Sequence, residues 1–343
     1  MKALVLTEYN QFELRDVPTP NPGPGEVLIR VRACGICGSD VHGMDGSTGR
    51  RIPPIIMGHE ASGEIAALGN DVTNWREGDR VTFDSTIYCG TCAHCKAGRI
   101  NLCDDRRVLG VSCDDYRKDG AFAEYVSVPE RVLYRVPDTV QFDHAAMVEP
   151  VAVALHAVGH ASFVPNDSAV VVGAGMIGLL IVQALRAHAY GLIVAVDVDE
   201  SRLSRARQAG AHCAYNPNTT DVEAEVFKLT YGNGANAAFD AVGTNAALQT
   251  AIASVGKGGA VVLVGNVSPT VELPLQRVVT REINLFGSCA SAGEYATALK
   301  LMSRGHLRVD SLISANAPLS EGPAWFERLH AREPGLMKVI LTP

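Results

Sequence analysis

The chain has 343 residues, enough for two domains that each bury a core. Hydrophobic residues make up 47%, charged residues 20%, and the net charge is −7, the balance of an ordinary globular protein. Acidity without a Lys/Arg run argues against a nucleic-acid partner, and no stretch reaches the roughly 18 apolar residues of a membrane span.

In chain order, the opening run MKALVLTEYNQFELRDV is broken at once by Glu8, Glu13, Arg15 and Asp16, unlike a secretory leader, so a cytoplasmic location is expected. KALVLTE, EVLIRVRA, ASGEIAALG and DRVTF carry strand-like runs separated by PTPNPGPGE and NDVTNWREG, which predicts an antiparallel, β-rich unit. The character changes near Ala152. SAVVVGAG reads as a buried strand, MIGLLIVQALRAHA has helical spacing, and LIVAVDV is a second apolar strand. ESRLSRARQAG follows as a helix closed by Gly210, then come NAAFDAVG and GAVVLVG. Strand alternating with helix predicts a parallel, doubly wound sheet, so the fold class is α/β. LMKVILTP is a last strand, and its return to the first unit would make that unit discontinuous.

Nine cysteines, an odd number, speak against a disulfide framework. Four of them, Cys89, Cys92, Cys95 and Cys103, stand at C-x2-C-x2-C-x7-C, and four thiolates from one loop can close a tetrahedral zinc shell. Such a site organises a loop and leaves no open position for chemistry. A ferredoxin-type cluster fits less well, given the seven-residue gap and the missing proline after the fourth cysteine.

A second donor set is dispersed. Cys37 lies between Gly35 and Gly38, and IMGHEASGEI offers His59 beside Glu60, flanked by Gly58 and Gly63. A catalytic zinc needs about three protein ligands and an open position. Glu60 or Glu149 could supply a carboxylate, and on spacing alone Cys34 or His42 could substitute. Neighbours on a strand point to opposite faces, so His59 and Glu60 reach one ion only if the chain bends, which Gly58 and Gly63 would permit. The plain alternative is a strand edge with a buried imidazole.

Gly173, Gly175 and Gly178 stand in G-x-G-x-x-G spacing after a strand and before a helix, with Asp197 closing the next strand. Gly173 would make the tight turn, Gly175 would admit a pyrophosphate to the backbone, and Gly178 would let helix and strand pack. Met176 and Ile177 share this turn, and Val264, Gly265, Asn266 and Cys289 are further candidate cofactor contacts. Asp197 suits the ribose hydroxyls of NAD over the 2′-phosphate of NADP; Arg202 reads as flanking the adenine, with accommodation of a 2′-phosphate as its other reading. A plain α/β turn with a chance acidic residue is the other reading.

Together these residues resemble the zinc-containing medium-chain dehydrogenase/reductase family, and in particular its polyol dehydrogenases of sorbitol and galactitol type. GICGSDVH, MGHEASGEI, GDRV, the four-cysteine loop, GAFAEYV, EPVAVALHA and GAGMIG occur in family order along the whole chain. The resemblance implies a GroES-like catalytic domain built from residues 1–153 and 290–343, with a Rossmann NAD-binding domain at 154–289 between them. It implies two zinc ions per chain, one structural and one catalytic on Cys37 and His59, and a proton relay through Ser39, the nicotinamide ribose and His42. Simple alcohol dehydrogenases of the family have a cysteine where this chain has Glu149. Polyol, butanediol and threonine dehydrogenases carry Glu-Pro there. Glu60 is then expected as the direct third ligand, with Glu149 holding or replacing the bound water; Glu149 in the third position, or exchange of the two, stays open, and Glu149 accepting only backbone hydrogen bonds is the plain alternative.

The implied reaction is transfer of a hydride from a secondary alcohol of a polyol or sugar alcohol to NAD, giving a ketose. Butanediol-type, L-threonine-type and sugar-alcohol-phosphate dehydrogenases are the alternatives within enzymes. A non-catalytic cofactor-binding relative is the alternative outside them, and it would need no relay serine or histidine. One departure stands out. Where many sorbitol dehydrogenases place an aromatic residue and an arginine, this chain reads GSCASAG, with Cys289, Ala290 and Ser291. Arg50 and Arg51 read as a solvated pair, contact with a sugar phosphate at the cleft mouth being the alternative. A homo-oligomer is implied, a tetramer before a dimer, and the segment 236–275 is expected to hold a sheet-edge strand able to pair across a two-fold axis.

Overall fold

The computed structural model describes residues 1–113, 117–162 and 164–343. They form two compact units: Met1–Glu149 with Tyr295–Ser303 and Arg308–Pro343, and Pro150–Glu294 with Arg304–Leu307.

The first unit is β-rich and mostly antiparallel. Its central strand, Glu26–Gly35, buries most of its side chains and pairs antiparallel with Glu60–Leu68, Tyr125–Pro129 and Lys338–Thr342. Lys338–Thr342 thus returns to the first unit, with Ile340 opposite Gly35 and Leu341 opposite Cys34. A separate three-stranded sheet carries Lys2–Glu8 at its centre, and Leu4, Leu6, Ile29, Ile55, Met57, Phe83, Phe122 and Phe326 are fully buried in the shared core.

The second unit is a six-stranded parallel sheet. Numbering its strands from Ser168–Val172 onward, their order across the sheet is 3-2-1-4-5-6, the doubly wound arrangement. The helix Met176–Ala187 follows the first strand, and Glu200–Ala209 ends at Gly210 with φ +116°, a left-handed stop that glycine adopts without strain.

The expected edge strand in 236–275 is not at the edge. Ala235–Asp240 and Val255–Leu263 both lie inside the sheet, and its edges are Cys213–Tyr215 and Asn284–Gly287. NLFG is short and lacks alternation, so it gives no strand signal of its own; pairing with Val255–Leu263 makes it one.

The two glycines beside His59 differ in role. Gly58 has φ +94° and makes the bend. Gly63 does not bend the chain. It lies in the strand Glu60–Leu68, where a Cβ would collide with the Arg30 carbonyl and stand 2.9 Å from Ile29 Cγ2. Gly63→Ala should therefore cost about 1–3 kcal/mol through overpacking. Gly159→Ala, where open space awaits the methyl, should cost nothing; thermal unfolding of the two variants side by side checks the contrast.

Candidate active site

The strand Glu26–Gly35 ends in a turn that places Cys37 at the N-cap of the four-residue helix Gly38–Val41. Gly58 brings the preceding chain round so that His59 stands just ahead of the strand that begins at Glu60. The register pairs Gly35 with Glu60, and a Cβ on Gly35 would strike the Glu60 carboxylate, so the missing side chain makes its room. The result is that one donor atom from each of Cys37, His59 and Glu60 lies within 4.8 Å of the others. Thiolate, imidazole and carboxylate at this spacing fit a zinc ion and leave a position open.

Glu149 is not in that group of three, but it lies close enough for its charge to be felt there. Burial pushes its carboxyl up to about 7, with His59 pulling against the rise. Glu60 has a different neighbour. The Lys338 ammonium, itself buried, donates to Glu60 Oε2 at 2.5 Å and to the Ile36 carbonyl at 3.0 Å. Burial works to strip the proton from Lys338, but Glu60 and Cys37 outweigh it and hold the group charged.

Two further residues, Asp40 and Arg51, join the site without having been expected there. Asp40 is fully buried: its Oδ2 accepts from the Cys37 amide at 3.3 Å, and its Oδ1 lies 3.4 Å from His59 Nδ1. A carboxylate behind the imidazole fixes the ring and raises its ligand strength. Burial raises the Asp40 carboxyl, yet His59 and Arg51 more than offset this and hold it far below the usual carboxylate range. Arg51 corrects the expectation of a solvated pair. It is 3% exposed and donates to Asp40 Oδ1 at 2.9 Å, whereas Arg50 is exposed. Ser39 and His42 are exposed on the same short segment, and Ser39 Oγ accepts from Arg51 Nη2 at 3.3 Å.

Cys89, Cys92, Cys95 and Cys103 also bring one sulfur each within 4.8 Å of the others. The Thr91 and Cys92 amides donate to Cys89 Sγ, both at 3.4 Å, and the Thr91 hydroxyl at 3.5 Å. Led by that hydroxyl, these bonds bring the Cys89 thiol down to about 6, which readies it for metal. Four sulfurs fit a closed zinc shell.

In the second unit, Gly173 turns at φ +95° and Gly175 caps the helix Met176–Ala187 with open space beside it. A Cβ on Gly178 would collide with the Gly173 carbonyl. Met176 and Ile177 are partly exposed in the first helical turn. Asp197 closes the neighbouring strand and accepts from the Ala174 amide at 2.7 Å, which ties it to the glycine turn, and Arg202 Nη1 lies 3.9 Å from it. Val264 and Gly265 both donate to the Asp240 carbonyl at 2.9 Å, Asn266 is exposed beyond them, and Cys289 is exposed.

Fold and site together define a nicotinamide-dependent, metal-assisted oxidoreductase. Residues 23–138 match the alcohol dehydrogenase GroES-like domain family, and residues 176–304 match the zinc-binding dehydrogenase family. A sorbitol dehydrogenase from Bacillus subtilis (strain 168) is 33% identical over 348 residues, covering 100% of this chain and 97% of that protein. A solved short chain alcohol dehydrogenase from Escherichia coli CFT073 complexed with NADH superposes with a TM-score of 0.92 at 31% identity, over 100% of this chain and 99% of the other. A zinc-binding dehydrogenase from Sinorhizobium meliloti 1021 bound to NADP gives a TM-score of 0.90 at 31% identity, again over 100% and 99%. The chain belongs to the zinc-containing medium-chain dehydrogenase/reductase family, in its polyol dehydrogenase subgroup.

Gly58→Ala tests how the donors are assembled. A Cβ there would meet Cys34 Sγ and Phe122 Cδ1 at 2.9 Å, in a left-handed conformation that alanine resists. The variant should displace His59 and lose metal from this site, while the four-cysteine loop keeps its own, as metal analysis after chelation will read.

Proposed function

We propose that this chain is an NAD-dependent dehydrogenase with two zinc ions that oxidises a secondary hydroxyl of a polyol or sugar alcohol to a ketone. The carrying observation is the compact set of Cys37, His59 and Glu60 with the Glu149 carboxyl close by, a site whose third donor is a carboxylate. A zinc ion held by Cys37, His59 and Glu60 would supply Lewis acidity to an alcohol oxygen, lowering its pKa. The hydride acceptor would be the nicotinamide, whose chemistry belongs to the cofactor.

The chain's own residues do the rest. Cys37, His59 and Glu60 hold the metal. Glu149, whose carboxyl burial raises to about 7, would hold a water or the neighbouring hydroxyl of a vicinal diol beside them. Ser39 accepts the substrate's hydroxyl proton as it gives up its own, which would leave by way of the nicotinamide ribose and His42 to solvent. The open space at Gly175 and the helix N-terminus behind it receive the pyrophosphate. Asp197 takes the ribose hydroxyls and disfavours a 2′-phosphate, so NAD is preferred over NADP although relatives are known with each.

Cys89, Cys92, Cys95 and Cys103 hold the second ion as a structural site, and four free thiols of that kind support a reducing, cytoplasmic setting. We take the chain to be a homo-oligomer, a tetramer before a dimer; the exposed apolar Val267, Leu275 and Val279 support association without distinguishing the two.

Two experiments test this. Metal analysis of Glu60→Ala should find the catalytic zinc lost, whereas Glu149→Ala keeps zinc and loses turnover; equal retention in both contradicts the assigned roles. A panel of polyols, sugar phosphates, butanediols and threonine, each with NAD and with NADP, should give activity on vicinal diols with NAD; no activity on any of them overturns the reading.

A further inference from the structure

The Arg51–Asp40 pair is unexplained by stability. Taking both charges out of water costs several kcal/mol per ion, and such pairs are often replaceable by apolar side chains without loss. Yet the surroundings are built for this arginine. A Cβ on Gly43 would stand 2.5 Å from Arg51 Cγ, so the stem runs through space that any other residue at 43 would fill. Among the described residues the guanidinium bonds two neighbours: Nε and Nη2 reach Asp40 Oδ1 at 3.3 and 2.9 Å, and the same Nη2 reaches Ser39 Oγ at 3.3 Å. Asp40 in turn touches the Cys37 amide and the His59 ring. The helix Gly38–Val41 has four residues, too few to hold its own shape.

We propose that Arg51 is a positioning residue for the reaction, acting through two arms of one guanidinium. The first arm presses the Asp40 carboxylate against His59 and so sets the orientation of a metal ligand. The second arm donates to Ser39 Oγ. A serine hydroxyl has one proton to give and two lone pairs. With one lone pair occupied by Nη2, the other and the O–H are turned to the exposed side, where the substrate hydroxyl gives up its proton. Lysine at this position would keep the charge but has a single nitrogen, so it loses the paired Nε and Nη2 grip on Asp40 that leaves the second Nη2 hydrogen free for Ser39. The proposal rests on the relay role given to Ser39 above.

The test combines Arg51→Lys, Ser39→Ala and the double variant, all loaded with zinc, with two readouts. The first is the rate of zinc loss to a chelator without substrate or NAD. The second is kcat and KM for the best polyol. Arg51→Lys should release zinc about 10-fold faster, the lower end expected when an outer-shell partner of a ligand is removed. This increase should persist with Ser39→Ala, because it runs through Asp40. Arg51→Lys should also lower kcat by about 10-fold with little change in KM, and this loss should vanish when Ser39 is already alanine, because it runs through that hydroxyl.

An unchanged chelation rate, or a kcat loss equal in both backgrounds, overturns the proposal. If Ser39→Ala alone keeps wild-type kcat, the relay reading fails instead, and the zinc-release arm still decides the role of Arg51 toward His59. Should Arg51→Lys not fold, Arg51→Gln, which keeps donors for one arm only, takes its place. Failure of both to fold makes Arg51 a residue of stability and overturns the proposal.

Discussion

A buried ammonium decides whether this site can exist. Glu60 is 1% exposed and Lys338, which meets it at 2.5 Å, is 3% exposed. A lone carboxylate in that position would protonate or stay unfolded, because removing a charge from water without a partner costs far more than a fold can spare. Lys338 lifts that penalty and also bonds the Ile36 carbonyl, one residue before Cys37. The same amino group therefore steadies a carboxylate donor and the backbone next to a thiol donor. The pairing of Lys338–Thr342 with Glu26–Gly35 is what delivers it, so sheet topology and site electrostatics are one constraint.

Around that pair the charges are layered. Cys37, His59 and Glu60 point at one small volume, and each is held by a separate device: a helix cap, a left-handed glycine bend, and a gap left by Gly35. Behind them, Lys338 balances Glu60 while Asp40 and Arg51 balance His59. Without metal, these anions draw protons onto His59, against the opposing effect of burial. Metal binding has to displace them, so donor geometry and proton inventory are set together.

Much of this was legible beforehand because it is local. The strands of the parallel sheet, the glycine turn with its aspartate, and the four-cysteine loop are each spelled within a few residues, where period, spacing and chain stiffness act directly. Gly58 was readable as a bend for the same reason. What was not legible depends on distance. Nothing in LMKVILTP says that its lysine lies against a glutamate 278 positions earlier. Arg51, beside Arg50 in a polar turn, has the local composition of a solvated face, and only Gly43 and the buried Asp40 reverse that. Gly63 looked like a second hinge, yet its requirement comes from the neighbouring strand's carbonyl, which no window along its own strand contains. The edge of the parallel sheet was missed because a four-residue strand owes its state to its partner.

The return of Lys338–Thr342 to the first unit also sets an order of events during synthesis. Residues 150–294 emerge as a nearly complete parallel sheet with its own core, able to fold while later residues are still being added. The β-rich unit has to wait. Until position 338 has left the ribosome, Glu60 has no ammonium beside it and the strand carrying Cys34 and Gly35 lacks one neighbour. A nascent chain interrupted a few residues short would thus carry a finished nucleotide fold attached to a metal pocket with an uncompensated charge. Completion of the metal pocket therefore depends on a strand that lies 278 positions beyond the glutamate it neutralises.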